Sequence, residues 1–366
     1  MPNEILKYQV AITLIPGIGD IVGKKLIAYC GGVEAVFKEK KHALMKIPGI
    51  GPSIVNSIVG QNVISRAEKE IAFAEKNDIQ ILFYTHPDYP ARLLNCEDGP
   101  LLLYYKGNAD LNAKRVIAFV GTRKATNDGR VICEKFIEGL KTKDVLVVSG
   151  LAYGIDSYAH KAALKENLST VGVLGHGLDR IYPSQNRKLA ENMLEKGGLL
   201  TEFLTNTIPD RENFPKRNRI VAGMCDAVVV VESAGKGGAL ITAGLANSYN
   251  RDVFAIPGRI TDEYSKGCNL LIKSNRAALA ESSKDIAYIM GWDDLRVNVK
   301  KQRELFLQLT DEQKLVMKII ENSKEISVDK LVIESELSMS KVASALLMLE
   351  FEGLIQSLPG KLYRLY

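Results

Sequence analysis

Six short apolar runs dominate the middle of this 366-residue chain: VIAFVG (116–121), VLVVSG (145–150), TVGVLG (170–175), a weaker GLLTEF (198–203), AVVVVE (227–232) and DVFAIPG (252–258). Helix-length stretches such as DGRVICEKFIEGLKTK and GIDSYAHKAALKEN separate most of them. Strands this continuously hydrophobic need cover on both faces, which alternating helices supply in a parallel sheet. The pattern predicts an α/β fold with a Rossmann-like parallel sheet over residues 67–300. In such sheets ligands bind in the loops at the carboxyl ends of the strands. The glycine-rich and polar motifs GTRKAT, SGLAYGID, LGHGLDRIYP and ESAGKGGALITA follow those runs.

Two smaller domains are expected on either side. In residues 1–66 the five letters IPGIG occur twice, at 15–19 and 47–51, each before a helix-like stretch. A repeated turn of this kind fits a helix-hairpin-helix, whose backbone amides can point at a phosphate without reading sequence. Two copies would then grip two phosphates, with Lys24, Lys25 and Lys46 adding charge. A SAM-like packing module, using the glycines only for tight turns, fits the same letters. After a polar linker, WDDLRVNVKKQ, residues 301–366 read as a helix (312–321), a short strand at Ile326, helices at 328–334 and 339–352, and a hairpin with its turn at Pro359-Gly360. That order is a winged helix-turn-helix.

Composition narrows the function. The formal net charge of +5 is unevenly spread, with eight Lys/Arg against four Asp/Glu in residues 1–66 and nine against ten in 301–366. A basic bias at one end hints at a polyanion. The five cysteines are scattered, odd in number and never spaced as CxxC, which fits free thiols in a reducing cytoplasm and no zinc cluster. Four histidines without HExxH spacing argue against a metal site, and no run approaches the length of a membrane span. A soluble cytoplasmic protein with no cofactor and no metal is expected.

The loops offer anion chemistry. GTRKAT places Arg123 and Lys124 just past a strand. AGKGGALITAG puts glycines, Lys236 and Thr242 at a strand-to-helix turn, a ready anion cradle. FPKRNRI adds Lys216, Arg217 and Arg219 beside Phe214, which can stack a base. Around Gly19, GIGDIVGKK departs from P-loop spacing and has Lys25 where Ser or Thr should hold Mg²⁺, so no ATPase machinery is visible. Asp156 and His160 stand at i and i+4, where a structural pair is the favoured reading because no nucleophile or metal ligand accompanies them.

In this order, GTRKAT, SGLAYGIDSYAH, GHGLDRIYPSQN, FPKRNRIVAG and VVESAGKGGALITA resemble the bacterial DNA processing protein A (DprA/Smf) family over roughly residues 80–290. The resemblance implies a homodimeric single-stranded DNA binder, not an enzyme, that protects incoming DNA in natural transformation and hands it to the RecA recombinase. It implies a strand-binding pocket of Gly121, Thr122 and Arg123, then Ser149, Gly150 and Gly154, then Phe214, Lys216, Arg217 and Asn218, with Gly237, Gly238 and Thr242 beside them. Thr122 replaces the serine usual in the first motif and keeps a hydroxyl. The main rival is a nucleotide-hydrolysing enzyme of a related Rossmann-like fold with a PGGxGTxxE loop. Here the stretch reads GKGGALITAG, without a glutamate after Thr242, and Glu232 could act only from another direction. A sensor that binds a small nucleotide without turning it over is the second rival.

Overall fold

The computed structural model describes residues 2–292, 309–323 and 325–365. Its centre is a nine-stranded sheet. The strands are β1 (Gln80–Phe83), β2 (Leu102–Gly107), β3 (Arg115–Val120), β4 (Val145–Ser149), β5 (Thr170–Val173), β6 (Gly197–Thr201), β7 (Ala227–Val230), β8 (Asp252–Ala255) and β9 (Ala278–Leu279). Their spatial order is β1-β2-β6-β5-β4-β3-β7-β8-β9. Strands β3 to β9 run parallel, while β1 and β2 join antiparallel at the edge beside β6. All six runs expected from the sequence are strands, and the sheet is the mostly parallel one the pattern required. β1, β2 and the two-residue β9 are additions that the alternation with helices did not signal.

Both faces of the sheet are buried. Along β3, Val116, Ala118 and Val120 enter one core while Ile117 and Phe119 enter the other, and Val228 and Val230 of β7 alternate with Ala227 and Val229 in the same way. Each valine, isoleucine or phenylalanine among them contributes roughly 1.5–3 kcal/mol of burial, so the period-2 alternation fixes register as well as stability. The chain visits β3, β4, β5 and β6 in one direction and then returns to set β7 on the other side of β3. The loops leaving β3 and β7 therefore diverge, and the crevice between them is where an open α/β sheet places its ligand.

The repeated letters at the N-terminus encode one turn used twice. Ile18 N–H donates to the Ile15 carbonyl and Ile50 N–H to the Ile47 carbonyl, both at 3.1 Å. Gly17 and Gly49 have φ of 84° and 78°. Proline second and a positive-φ glycine third are the residues of a type II turn. The four isoleucines Ile15, Ile18, Ile47 and Ile50 are buried in the helical core. This core includes Leu101, Leu102 and Tyr104 of the sheet edge, and helix Ile64–Lys76 runs across the boundary expected at 66/67.

The two turns are not equivalent in use. The first opens helix Asp20–Cys30 with a carboxylate that accepts from Leu101 N–H at 2.7 Å and lies 3.0 Å from Arg219 Nη2. Arg219 also contacts the Glu202 carboxylate and the Asp98 carbonyl. That N-terminus is a joint to the sheet, and an acid there repels phosphate. Lys24 is drawn into the joint, where burial lowers its pKa. The second turn opens helix Pro52–Val59 with open space around Gly51, and Lys25 Nζ lies close to Gly49. The expectation of two phosphate grips is thereby reduced to one, and Arg219 is removed from the basic cluster of FPKRNRI.

The tail folds as the winged unit read from sequence: helices Asp311–Ser323, Val328–Ser335 and Met339–Phe351, with β10 (Ile326–Ser327), β11 (Ile355–Leu358) and β12 (Leu362–Leu365) in the order β10-β12-β11. Beyond Trp292 the expected linker lies outside the described residues.

Candidate nucleic-acid interface

Two loops build the cleft. Thr122, just after β3, donates its N–H to the Glu232 carbonyl after β7 at 2.8 Å. The Glu232 carboxylate accepts from Thr126 N–H at 2.9 Å and from the Thr126 hydroxyl. Thr126 in turn caps helix Asn127–Gly139 by accepting from Gly129 N–H at 3.0 Å. These bonds lash the diverging loops together, and between them opens a cleft.

Ten of the thirteen residues expected at the site line this cleft: Gly121, Thr122, Arg123, Gly150, Phe214, Arg217, Asn218, Gly237, Gly238 and Thr242. Arg123 is exposed, and its guanidinium lies over the Phe214 ring, 4.8 Å from the centroid. That stacking holds a mobile cation in place without consuming its hydrogen-bond donors. Gly237 and Gly238 open helix Gly238–Ser248, whose first amides lack intrahelical acceptors, and Lys236 lies exposed beside them. Asn218 reaches the Gly238 carbonyl at 3.4 Å.

The remaining residues support this floor. Ser149 is fully buried and donates to the Phe119 carbonyl at 2.6 Å. Gly154, with φ of 75°, lets the chain pass so close to Thr122 and Arg123 that a Cβ would meet the Thr122 carbonyl oxygen at 2.2 Å. Lys216 is exposed on helix Asn213–Gly223 outside the cleft wall. Arg217 is buried, donating to the Val173 carbonyl at 2.7 Å and standing 4.0 Å from the Asp156 carboxylate. Burial lowers the pKa of Arg217 and raises that of Asp156 against the pull of the arginine.

A second, shallow hollow continues the cleft, sharing Arg123, Ala152, Phe214 and Arg217 with it. Tyr153 and Tyr182, each nearly half exposed, line this extension. The trough thus pairs cations and free amides at one end with aromatic faces at the other. That combination suits a single strand, whose phosphates need donors and whose unpaired bases need π-faces.

Comparison with known proteins agrees with this chemistry. The sequence pattern of the DNA recombination-mediator protein A family matches residues 80–291, and that of the DprA winged helix domain matches 307–361. The chain belongs to this family. It is 31% identical to Protein Smf of a Synechocystis species over the full length of both chains. It is 43% identical to DNA processing protein DprA of Streptococcus pneumoniae over 198 residues, covering 54% of this chain and 70% of that one. The X-ray structure of the pneumococcal protein superposes with a TM-score of 0.67 at 33% identity, covering 77% of this chain and 97% of that one. A structure of DNA processing protein A from Helicobacter pylori, described by its single-stranded DNA binding mode, gives 0.54 at 26%, covering 59% and 96%.

Within the family's shared core, sequence reasoning passed over Tyr153 and Tyr182 as site residues, while Lys236, read as part of the anion cradle, lines the cleft. Tyr153 and Tyr182 sit inside SGLAYGID and LGHGLDRIYP, and an aromatic in a loop after a strand was the signal. Asp156 and His160 do not pair. His160 is buried, with Nε2 2.5 Å from the Gly150 carbonyl and Nδ1 2.7 Å from Thr170 Oγ1. A carbonyl can only accept, so Nε2 carries the proton, and the single hydroxyl proton of Thr170 lies between Nδ1 and the Val147 carbonyl, 3.0 Å from Oγ1. Burial lowers the His160 pKa to about 4. The folded state thus favours neutral His160, and the resulting stability is complete above the ordinary histidine value and drains as pH falls towards 4. Unfolding free energies from urea titrations should decline over that window by an amount on the order of 3 kcal/mol in total. A His160→Gln variant should show a flatter limb, and an unchanged limb would assign the acid sensitivity elsewhere.

Proposed function

We propose that this protein binds single-stranded DNA along the trough at the β3/β7 crevice, protects it, and passes it to the RecA recombinase during natural transformation. The observation that carries this reading is Arg123 stacked on Phe214 between the open amides of Gly237–Gly238 and the aromatic hollow. Phosphates would take Arg123, Lys236 and the helix N-terminus, and bases would take Phe214, Tyr153 and Tyr182, with little base preference. Family membership supports RecA loading as part of this reading, and the rate at which RecA assembles on a single strand tests it. That rate should rise with this protein and not with Arg123→Ala.

The protein acts without turning over its ligand. The glutamate that a nucleotide-hydrolysing relative carries after the position of Thr242 is missing from GKGGALITAG, and Glu232, which could substitute only from another direction, is committed to Thr126. Release of base from nucleoside monophosphates by the pure protein would overturn this. A homodimer in a cytoplasmic setting completes the reading. Leu279 of β9 and Tyr288 and Ile289 of helix Ser283–Ile289 expose apolar side chains that a second copy would cover.

The winged unit should not contribute to strand affinity. Its would-be recognition helix, Met339–Phe351, has one cation, Lys341, and this is bound to Glu312 at 2.8 Å. Reading a major groove needs several donors. Deleting residues 301–366 should change affinity for a short oligonucleotide by less than about threefold, below ~1 kcal/mol. A larger loss, measured by fluorescence anisotropy, would place DNA on the tail.

A further inference from the structure

A separate hollow lies at the opposite end of the strands from the trough. Its floor comes from the amino ends of the sheet: Lys114 stands just before β3, Asp226 before β7 and Arg251 before β8, with Arg92 of helix Ala91–Leu94 beside them. The winged unit forms its roof and contributes Glu325, Lys330 and Arg364. The wing turn closes one side, where Gly360 N–H donates to the Asn250 carbonyl at 3.1 Å.

Charge in this hollow is unbalanced. Asp226 is taken up by Arg92 at 2.7 and 2.9 Å, and Glu325 lies 3.5 Å from Arg364. Lys114 and Lys330 are exposed and have no carboxylate partner among the described residues. Arg251 is the more demanding group. It is 3% exposed, and its Nη2 donates to the Arg92 and Gly223 carbonyls at 2.8 and 3.0 Å. Its Nε and Nη1 have no hydrogen-bond partner among the described residues. Nη1 faces the wing turn, 2.7 Å from where a Cβ on Gly360 would stand. A buried guanidinium with empty donors is costly, and cations brought together from two units repel. An anion between them offsets both penalties.

Three uncompensated cations call for several negative charges on one short ligand. We propose that this hollow binds an oligophosphate, either an inorganic chain or the phosphate tail of a nucleoside triphosphate. Arg251 takes one phosphoryl group, and Lys114 and Lys330 take the others. Gly360 leaves only hydrogens over Nη1, so a small shift of the turn admits a phosphate oxygen. A nucleic-acid backbone cannot reach an arginine this deep. Because the cations come from both units, the bound ligand fastens the winged unit to the core.

Equilibrium dialysis of the full-length protein against tripolyphosphate, at fixed ionic strength, counts the bound ligand directly. Wild type should bind at least one equivalent, and Arg123→Ala, altered only in the trough, should retain one. The double variant Lys114→Glu/Lys330→Glu should bind that equivalent at least tenfold more weakly. Lys135→Glu/Lys318→Glu makes the same change of charge at exposed lysines outside the hollow, one on each unit, and should bind like wild type. All four lysines are exposed, so circular dichroism should be the same for both double variants. Repeating the dialysis with ATP identifies the source: tighter binding assigns the hollow to nucleotides, and equal or weaker binding assigns it to inorganic chains. Weakened binding in both double variants alike, or in neither, would overturn the site.

Discussion

Replacing Arg123 with alanine should weaken single-strand binding roughly ten- to a hundredfold, the value of about 1.5–3 kcal/mol for hydrogen bonds to a charged group. The loss should carry a second signature. If about four phosphates are neutralised at each site, log affinity falls against log salt with a slope near −3, and removing one cation makes that slope shallower by about 0.7. The geometry explains why Arg123 carries so much. Arg217, its partner in the trough wall, is buried with one nitrogen on the Val173 carbonyl, and Lys216 stands outside the cleft. Arg123 is exposed, is held flat by Phe214 and lines both parts of the trough. Phe214→Ala should lose about 1–3 kcal/mol by a different route, removing a stacking face while leaving the salt slope unchanged. Equal slopes for wild type and Arg123→Ala would show that the arginine touches no phosphate.

Gly154→Ala should be the more damaging change to the protein itself. A methyl group there has the Thr122 carbonyl oxygen at 2.2 Å and the Arg123 carbonyl at 2.8 Å, all of it backbone, on a residue with φ of 75°. The loop bearing Arg123 must move or the helix starting at Ile155 must shift, at a cost of about 2–4 kcal/mol of stability. Single-strand affinity should fall more than tenfold even where the variant stays folded, because the displaced loop separates Arg123 from Phe214. Gly235→Ala supplies the control. Nothing lies within 4 Å of a Cβ at that position, so stability should change by less than about 0.5 kcal/mol. Urea denaturation and anisotropy on the same samples distinguish lost fold from lost site.

Residue patterns carried the architecture where a physical period underlies them. The six apolar runs had to be buried on both faces, and each is a strand of the parallel sheet. The IPGIG repeat announced two turns, because proline and a positive-φ glycine leave the backbone few alternatives. What those turns do was not legible, since it depends on tertiary partners. Asp20 reads as an ordinary first-turn acid, and only the fold brings Arg219 and Leu101 to it. The site shows the same division. Motif order placed Arg123, Phe214 and Gly237–Gly238 correctly in one cleft, yet a string of letters cannot show that Arg217 faces inward and Lys216 outward. Tyr153 and Tyr182 join the site only because the β4 and β5 loops fold side by side.

The central claim, that the β3/β7 trough holds a single strand by its phosphates and unpaired bases, meets its most direct test in one titration. Wild-type protein is titrated with an oligo(dT) and with a duplex of equal length across a salt series. The single strand should bind more tightly at every salt concentration, with a slope near −3. The duplex, whose stacked bases cannot reach Phe214, Tyr153 or Tyr182, should bind only weakly. Equal affinities, or a single-strand affinity indifferent to salt, would contradict the account.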